Sequence, residues 1–206
     1  MSPRPMARPP DPEPHRIGSA AVSEASLLTA TASGDGQAFR TLVNANLSMA
    51  LGIARRMLGD AAEAEDVAQE AMLRLWRNAA TLELGPGGLK PWLRRVVSNL
   101  AIDRIRSARN TSVVADVPEQ PTPARQSENL ESRDLARRVQ DALAALPERQ
   151  RLALVLFHFE GLSQIEVGAS LGVSDEAIES LLARARRTLT EALRDEWRQL
   201  LPDVLD

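Results

Sequence analysis

The sequence predicts an all-α protein built from two small helical domains that a linker joins. Along most of the chain, apolar residues recur at spacings of three and four, the period of an amphipathic helix, and no stretch alternates as a strand does. Proline and glycine concentrate in short segments that separate the helices. The chain therefore divides into a proline-rich tail at 1–22, a first domain at 23–110, a linker at 111–130 and a second domain at 131–206.

Turn residues mark the ends of the helices predicted in the first domain. Ser23 caps a short first helix, which the segment 33–36 ends. A second helix over Ala38–Leu58 stops at Gly59, because glycine readily takes the left-handed conformation found after a helix C-terminus. Asp60 caps the third helix.

Segments rich in proline and glycine separate the remaining parts of the chain. The loop Leu84-Gly-Pro-Gly-Gly88 precedes a fourth helix, and Pro91 lies in the first turn of that helix, where its missing N–H costs no hydrogen bond. Residues 111–130 hold three prolines and show no apolar period, which is typical of a flexible linker. Six prolines within 3–14 predict a disordered tail.

The second domain ends in a short helix, a tight turn and a longer helix. Its helices are predicted over 131–145, after Pro147, after Ser163 and after Ser174. Ser163 and Glu166 form a capping-box pattern, and Gly172 ends the short helix. This is the arrangement of a helix-turn-helix, whose second helix enters the major groove of DNA, but an ordinary corner of a helical bundle has the same pattern.

Composition excludes several classes of function. There is no cysteine, which excludes disulfides and thiolate sites, and His15 and His158 are too few for a zinc site of imidazole ligands. No apolar stretch reaches the roughly 20 residues of a membrane span, and none in the first residues resembles a secretory signal, so a cytoplasmic protein without membrane insertion is expected. We find no nucleophile–base pair and no cofactor fingerprint, so neither an enzyme nor a cofactor is expected.

The net charge of −3 hides an uneven distribution of charged residues. Between 84 and 110 there are six bases and one acid, Asp103, whereas the second domain carries fourteen acids and ten bases. A free-standing DNA-binding protein usually has a basic domain, and this chain as a whole is not basic.

Three segments of the chain carry motifs that are known to occur together. They are DVAQEAMLRLWRN (66–78), PWLRRVVSNLAIDRIRS (91–107) and LPERQRLALVLFHFEGLSQIEVGASLGVS (146–174). In this order they resemble region 2.2, regions 2.3 to 2.4 and region 4 of bacterial sigma-70-family factors, in particular the extracytoplasmic-function (ECF) group. The three segments occur in the same order as in the family, and the resemblance covers roughly residues 24–195.

The resemblance implies an RNA polymerase sigma factor. Such a protein binds core RNA polymerase at the clamp helices of the β′ subunit and at the β flap, and it recognises the −10 and −35 elements of promoter DNA. It then promotes transcription initiation of a stress-type regulon, and an anti-sigma factor is an expected partner. The resemblance implies no catalytic residue, no metal and no cofactor.

An acidic cluster on the third helix is the candidate polymerase-binding site. Asp66, Gln69 and Glu70 fall within about one helical turn and can reach one partner surface. The resemblance implies that this partner is the β′ clamp helices. A solvated acidic face near a helix N-terminus is the alternative interpretation.

The fourth helix carries the candidate −10-binding residues: Trp92, Arg95, Asn99, Asp103 and Arg106. The last four are spaced by 4, 4 and 3 and share a face, where an amide, a carboxylate and guanidiniums can bond phosphates and unpaired base edges. The resemblance implies that this face and the glycine-rich loop read the −10 element. Trp92 can instead be packed on the opposite side of the helix.

The last helix carries the candidate −35-binding residues: Ser174, Glu176, Glu179, Ser180, Arg184, Arg186 and Arg187. It departs from the family pattern at two positions, since Glu179 stands where a base is usual and Leu181 replaces an arginine. This departure weakens the expectation of ordinary −35 contacts.

Parts of the sequence also fit three other functions. If the chain were a stand-alone helix-turn-helix regulator, the first domain would have no role. A sigma mimic that titrates an anti-sigma factor is another alternative, but such mimics usually carry a receiver domain. An enzyme with a carboxylate metal site could use Glu63, Asp66 and Glu70, but bundle sites of that kind normally need Glu-x-x-His pairs that are missing here.

Overall fold

The computed structural model describes residues 23–85, 87–112 and 130–194, with side chains for 23–85, 87–110 and 137–194. Within these ranges the chain is helical and forms no strand, which confirms the all-α prediction. The helices are α1 Glu24–Ala32, α2 Gly36–Leu58, α3 Ala61–Asn78, α4 Lys90–Ser112, α5 Leu130–Ala145, α6 Glu148–Leu154, α7 Gln164–Leu171 and α8 Asp175–Ala192. The predicted tail and residues 113–129 of the predicted linker lie outside the described residues.

Side-chain caps begin the helices of the first domain. Ser23 and Asp60 each accept a hydrogen bond from the backbone N–H three residues on. The start of α2 differs from the prediction, because it begins at Gly36 rather than Ala38. The reason is a cap that sequence reasoning did not identify: the Asp35 carboxylate accepts from two backbone N–H groups of the first turn.

α2 is the central helix of the first domain and packs against α1, α3 and α4. Ile53 and Met57 of α2, Leu75 of α3 and Leu93 of α4 are fully buried between these helices. Full burial of such a side chain contributes about 1.5–3 kcal/mol. This core fixes the outward faces of α3 and α4, on which the candidate site residues lie.

α7 and α8 form the predicted helix-turn-helix. Ser163 and Glu166 each accept a hydrogen bond from the other's backbone N–H, which completes the capping box. The turn is tight, since a Cβ atom at Gly168 would lie 3.0 Å from the carbonyl oxygen of Val173. The buried stripe of α8 is formed by Ile178, Leu182 and Ala185.

The helix that follows Pro147 is not a regular α-helix throughout. After Leu154 it continues as a π-helical turn, Val155–Phe159, which the run of apolar letters does not predict. Phe159 at the end of this turn is 47% exposed, and the Arg56 guanidinium of α2 lies 4.5 Å from the centroid of its ring.

The two domains pack against each other at the C-terminus of α2. Arg151, which is 4% exposed, donates to the carbonyl of Met57 in α2 and to that of Ala144 in α5. The Nε2 atom of Gln140 lies 3.4 Å from the carbonyl oxygen of Arg56. Carbonyl groups in the last turn of a helix accept no hydrogen bond from the helix itself. Gln140 and Arg151 of the second domain donate to two such carbonyls at the end of α2. The sequence predicted a flexible linker between the domains and did not predict this contact between them.

Candidate nucleic-acid and protein interfaces

The polar face of α4 lies against the second domain. Arg95 and Asn99 line a cavity of about 170 Å³, and Arg149 and Ser170 line the wall that belongs to the second domain. The structure therefore brings Arg95 and Asn99 together and places two guanidiniums and an amide around one cavity. These groups are exposed and can donate to phosphate oxygens or base edges.

Arg106, farther along α4, is paired with the second domain. Its guanidinium lies 3.1 Å from Oε1 of Glu148, and that of Arg109 lies 3.3 Å from Oε2. The pKa of Glu148 is lowered, first by a hydrogen bond from the backbone N–H of Glu148 itself and then by the ion pairs with both arginines. Burial of the carboxylate acts in the opposite direction and raises this pKa. Trp92 is half-buried against the core of the first domain, and Asp103 is exposed.

The glycine-rich loop before α4 is held from two sides. The N–H of Gly88 donates to the carbonyl oxygen of Gly85 at 3.0 Å, and Gly88 has a φ of +69°, which favours glycine. The carboxylate of Glu24 in α1 accepts from the N–H of Leu89 at 2.8 Å. Sequence reasoning missed Glu24, because it precedes Leu89 by 65 residues and no local pattern links the two.

The three candidate polymerase-binding residues share the outer side of α3 but have different neighbours. Asp66 lies 3.6 Å from the guanidinium of Arg104 in α4, and Glu70 lies 3.1 Å from Nε of Arg74 one turn on. Gln69 is exposed and stands on the rim of a groove between α2 and α3.

This α2–α3 groove has a volume of about 490 Å³ and an almost wholly apolar lining. Its apolar residues are Phe39, Val43, Leu47, Leu51, Ala68, Met72 and Leu73. Leu47 and Leu73 are 38% and 40% exposed. Sequence reasoning missed the groove, although a signal exists: the four apolar residues from Phe39 to Leu51 follow one another at a spacing of four, beside the stripe of α2 that enters the core.

α8 presents most of its candidate −35-binding residues to solvent. Glu176, Glu179, Arg184, Arg186 and Arg187 are exposed, and Ser180 is half-buried. Ser174 caps the helix, and a hydrogen bond from its side chain, followed by one from the backbone of Glu176, lowers the pKa of Glu176. The guanidinium of Arg186 lies 5.6 Å from the centroid of the Phe157 ring, so Arg186 also packs on its own domain.

The carboxylates considered for a metal site have a different environment. Glu63 and Asp66 lie 2.8 and 3.6 Å from the guanidinium of Arg104. In the described ranges, no three His, Asp or Glu side chains lie close enough together to bind a metal ion. None of the helices described in those ranges is both long and apolar enough to cross a bilayer.

Known proteins resemble both domains. The family models Sigma-70 region 2 and Sigma-70, region 4 match residues 42–111 and 136–189. The ECF RNA polymerase sigma factor SigL of Mycobacterium tuberculosis is 30% identical over 181 residues, which cover 87% of this chain and 96% of SigL. The probable RNA polymerase sigma factor RfaY of Xanthomonas campestris pv. campestris is 34% identical over 175 residues, which cover 81% of this chain but 43% of RfaY.

The fold has a relative among solved structures. The sigma factor RpoE of Bartonella quintana, in complex with the anti-sigma factor NepR, is 26% identical and superposes with a TM-score of 0.62. The match covers 76% of this chain and 96% of that chain. Both domains, their order and the helix-turn-helix at the end of the second agree with these relatives, and the chain belongs to the ECF group of the sigma-70 family of RNA polymerase sigma factors.

Proposed function

We propose that this sigma factor directs core RNA polymerase to promoters through three surfaces. The first domain, 23–110, provides the polymerase-binding and −10-binding surfaces, and the second domain, 131–206, provides the −35-binding surface. The protein acts by binding and not by catalysis, and it works beside the chromosome in the cytoplasm.

The observation that carries this proposal is the α2–α3 groove. Exposed apolar patches mark protein-binding sites, and an apolar groove is suited to the apolar face of a helix. The β′ clamp helices are the partner that the family implies. Leu47 and Leu73 would be buried by a docked helix, while Gln69 at the rim, and Glu70 next to it in the chain, would bond its polar groups.

The −10-binding surface combines the glycine-rich loop with the polar face of α4. Arg95, Asn99 and Arg106 can bond the phosphates and exposed bases of a separated strand. Arg95 and Asn99 are exposed beside the second domain, whereas Arg106 is paired with Glu148 of that domain, so DNA must displace this ion pair to bind the Arg106 guanidinium. Polymerase, whose β flap is the partner implied for the second domain, can hold the domains apart.

The −35-binding surface is the exposed side of α8. Ser180, Arg184 and Arg187 can contact bases and phosphates of the major groove. The acidic Glu179 and the excess of acids in this domain oppose binding to bare DNA, so polymerase is needed to position the helix.

An anti-sigma factor is the further partner that we propose. The support is that RpoE of Bartonella quintana, which shares this fold, was solved with the anti-sigma factor NepR. Such a partner would regulate when this chain reaches polymerase.

The proposal is tested with purified chain, core RNA polymerase and fragmented genomic DNA. We expect a complex with core polymerase and run-off transcripts that start at a shared promoter motif. Absence of both the complex and the transcripts would overturn the proposal. Binding to an anti-sigma factor without any binding to core polymerase would instead identify a sigma mimic.

A further inference from the structure

A carboxylate from α1 holds the junction between the glycine-rich loop and α4. Glu24 lies in the first turn of α1, is partly buried, and accepts a hydrogen bond from the N–H of Leu89 at 2.8 Å. Leu89 is fully buried, and its carbonyl accepts from the N–H of Leu93, which starts the hydrogen bonding of α4. The contact with Glu24 therefore fixes the residue at which the loop ends and the helix begins.

The loop fits closely around this carboxylate. A Cβ atom at Gly88 would lie only 2.3 Å from Oε2 of Glu24, and Gly88 also has the positive φ that side chains disfavour. A negative charge beside the first turn of α4 is favourable in addition, because the helix dipole is positive there. Two neighbouring residues of the loop, Gly88 and Leu89, thus depend on the position of one side chain.

Attachment of α1 to the domain depends on other residues. Leu28 and Thr31 of α1 are buried, at 3% and 2% exposure, and α1 packs against α2. Loss of the Glu24 carboxylate therefore removes the bond to the loop and leaves the packing of α1 in place. Its expected effect is local to the loop.

We propose that Glu24 is a positioning residue for base selection in the −10 element. It acts through the backbone of Gly88 and Leu89 and touches no base itself. This inference rests on the proposed function of the loop and α4 as the −10-binding surface.

The test uses holoenzyme reconstituted from core polymerase and the full chain. It selects from single-stranded oligonucleotides randomised over the segment that corresponds to the −10 element, and the bound pool is sequenced. For Glu24→Ala we expect the enrichment of the preferred base at one or two positions to fall by about tenfold, the size expected when a hydrogen bond to a charged group is lost. Glu24→Gln, which keeps an acceptor oxygen, should restore much of that preference. Thr29→Ala, on the exposed side of α1, is the matched control.

The outcomes separate the inference from the proposed function. If the wild-type holoenzyme enriches no motif, the proposed −10-binding surface is wrong. If it enriches a motif and Glu24→Ala enriches the same motif equally well, Glu24 does not position the loop. A fall in core binding or in thermal midpoint for Glu24→Ala, with unchanged base preference, would show a merely structural role and would also overturn the inference.

Discussion

Glu179 is the side chain that most alters what α8 can do. It is exposed on the candidate recognition helix, at a position where a base is usual in the family. A carboxylate repels backbone phosphates but can accept a hydrogen bond from N4 of cytosine. Glu179 is therefore expected to lower affinity for DNA in general and to raise discrimination among −35 sequences.

Replacement of this acid by a base should reverse both effects. We expect Glu179→Lys to raise the affinity of the chain for duplex DNA and to steepen its salt dependence by about one phosphate contact, a slope change of about −0.9. Discrimination between promoter DNA and scrambled DNA should fall. Binding across a salt series measures all three quantities.

A control variant separates a local effect from net charge. Asp141→Lys makes the same charge change at an exposed site of another helix, α5. If Glu179→Lys behaves like Asp141→Lys in affinity, salt slope and discrimination, α8 does not face DNA.

Contacts of single residues could be predicted only where they are local. Ser163 and Ser174 cap their helices as predicted, because the donor N–H lies three residues away. The bond between Glu24 and Leu89 obeys the same chemistry, but only the packing of α1 brings the two residues together.

Among the helices, the pair α2 and α3 makes the surface best suited to a protein partner. We expect the double variant Gln69→Ala with Glu70→Ala to weaken binding to core polymerase by about 2–5 kcal/mol, the cost of truncating desolvated polar contacts in an interface. Titration of labelled core polymerase measures this loss. Glu83→Ala, which removes an exposed carboxylate outside the groove, is the control. A double variant that is folded by circular dichroism and binds core normally would contradict the assignment.

The polar face of α4 should affect a later step. We expect Asn99→Ala and Arg106→Ala to leave core binding intact and to lower open-complex formation by about tenfold, since a contact to a base is worth about 1–3 kcal/mol. Permanganate footprinting or a fluorescent base in the −10 element reports opening. Arg149→Ala changes the other wall of the same cavity and should not slow opening. Opening at the wild-type rate in both α4 variants would mean that this face is only solvated.

The apolar pattern of a single helix predicted where that helix begins and ends better than it predicted which surface stays exposed. The bounds of α3, α7 and α8 follow from caps and from a spacing of three and four. The groove was missed because the stripe from Phe39 to Leu51 looks like core on one helix alone, and only the position of α3 leaves it open. The π-helical turn Val155–Phe159 has no signal in its residue types.

At the scale of the whole molecule, the two domains form a closed arrangement that engages part of the polar face of α4. Arg151 donates to the carbonyl of Met57, 94 residues away, and Glu148 pairs with two arginines of α4. No periodicity in the sequence predicts such contacts, because each domain satisfies its own pattern without the other. Closure pairs Arg106 with Glu148, so contacts between the domains set how often the Arg106 guanidinium is free for DNA.

Removal of one of these contacts should open the molecule. The arginine side of each ion pair is exposed to solvent, so each pair contributes at most about 1 kcal/mol. We therefore expect Glu148→Ala to raise the open population by up to about fivefold for each pair lost. The chain contains no cysteine, so Thr41→Cys and Thr190→Cys, both on exposed sites, allow a donor and an acceptor dye to report the separation of the domains.

Acid should also open the wild type, and it should open the Glu148→Ala variant less. The hydrogen bond from the backbone N–H of Glu148 lowers its pKa whether or not the domains touch, but the ion pairs with Arg106 and Arg109 lower it further only in the closed form. The stabilisation of the closed form by these pairs is therefore complete above the pKa of Glu148 in the open form, and it is lost as the pH falls through the lower pKa of the closed form. The dye separation of the wild type should therefore rise in that acidic window, and the rise should be smaller in Glu148→Ala. Glu191→Ala, an exposed acid of α8, should follow the wild type. Equal separation in Glu148→Ala and wild type at neutral pH would mean that Arg151 and Gln140 hold the domains closed without the help of Glu148.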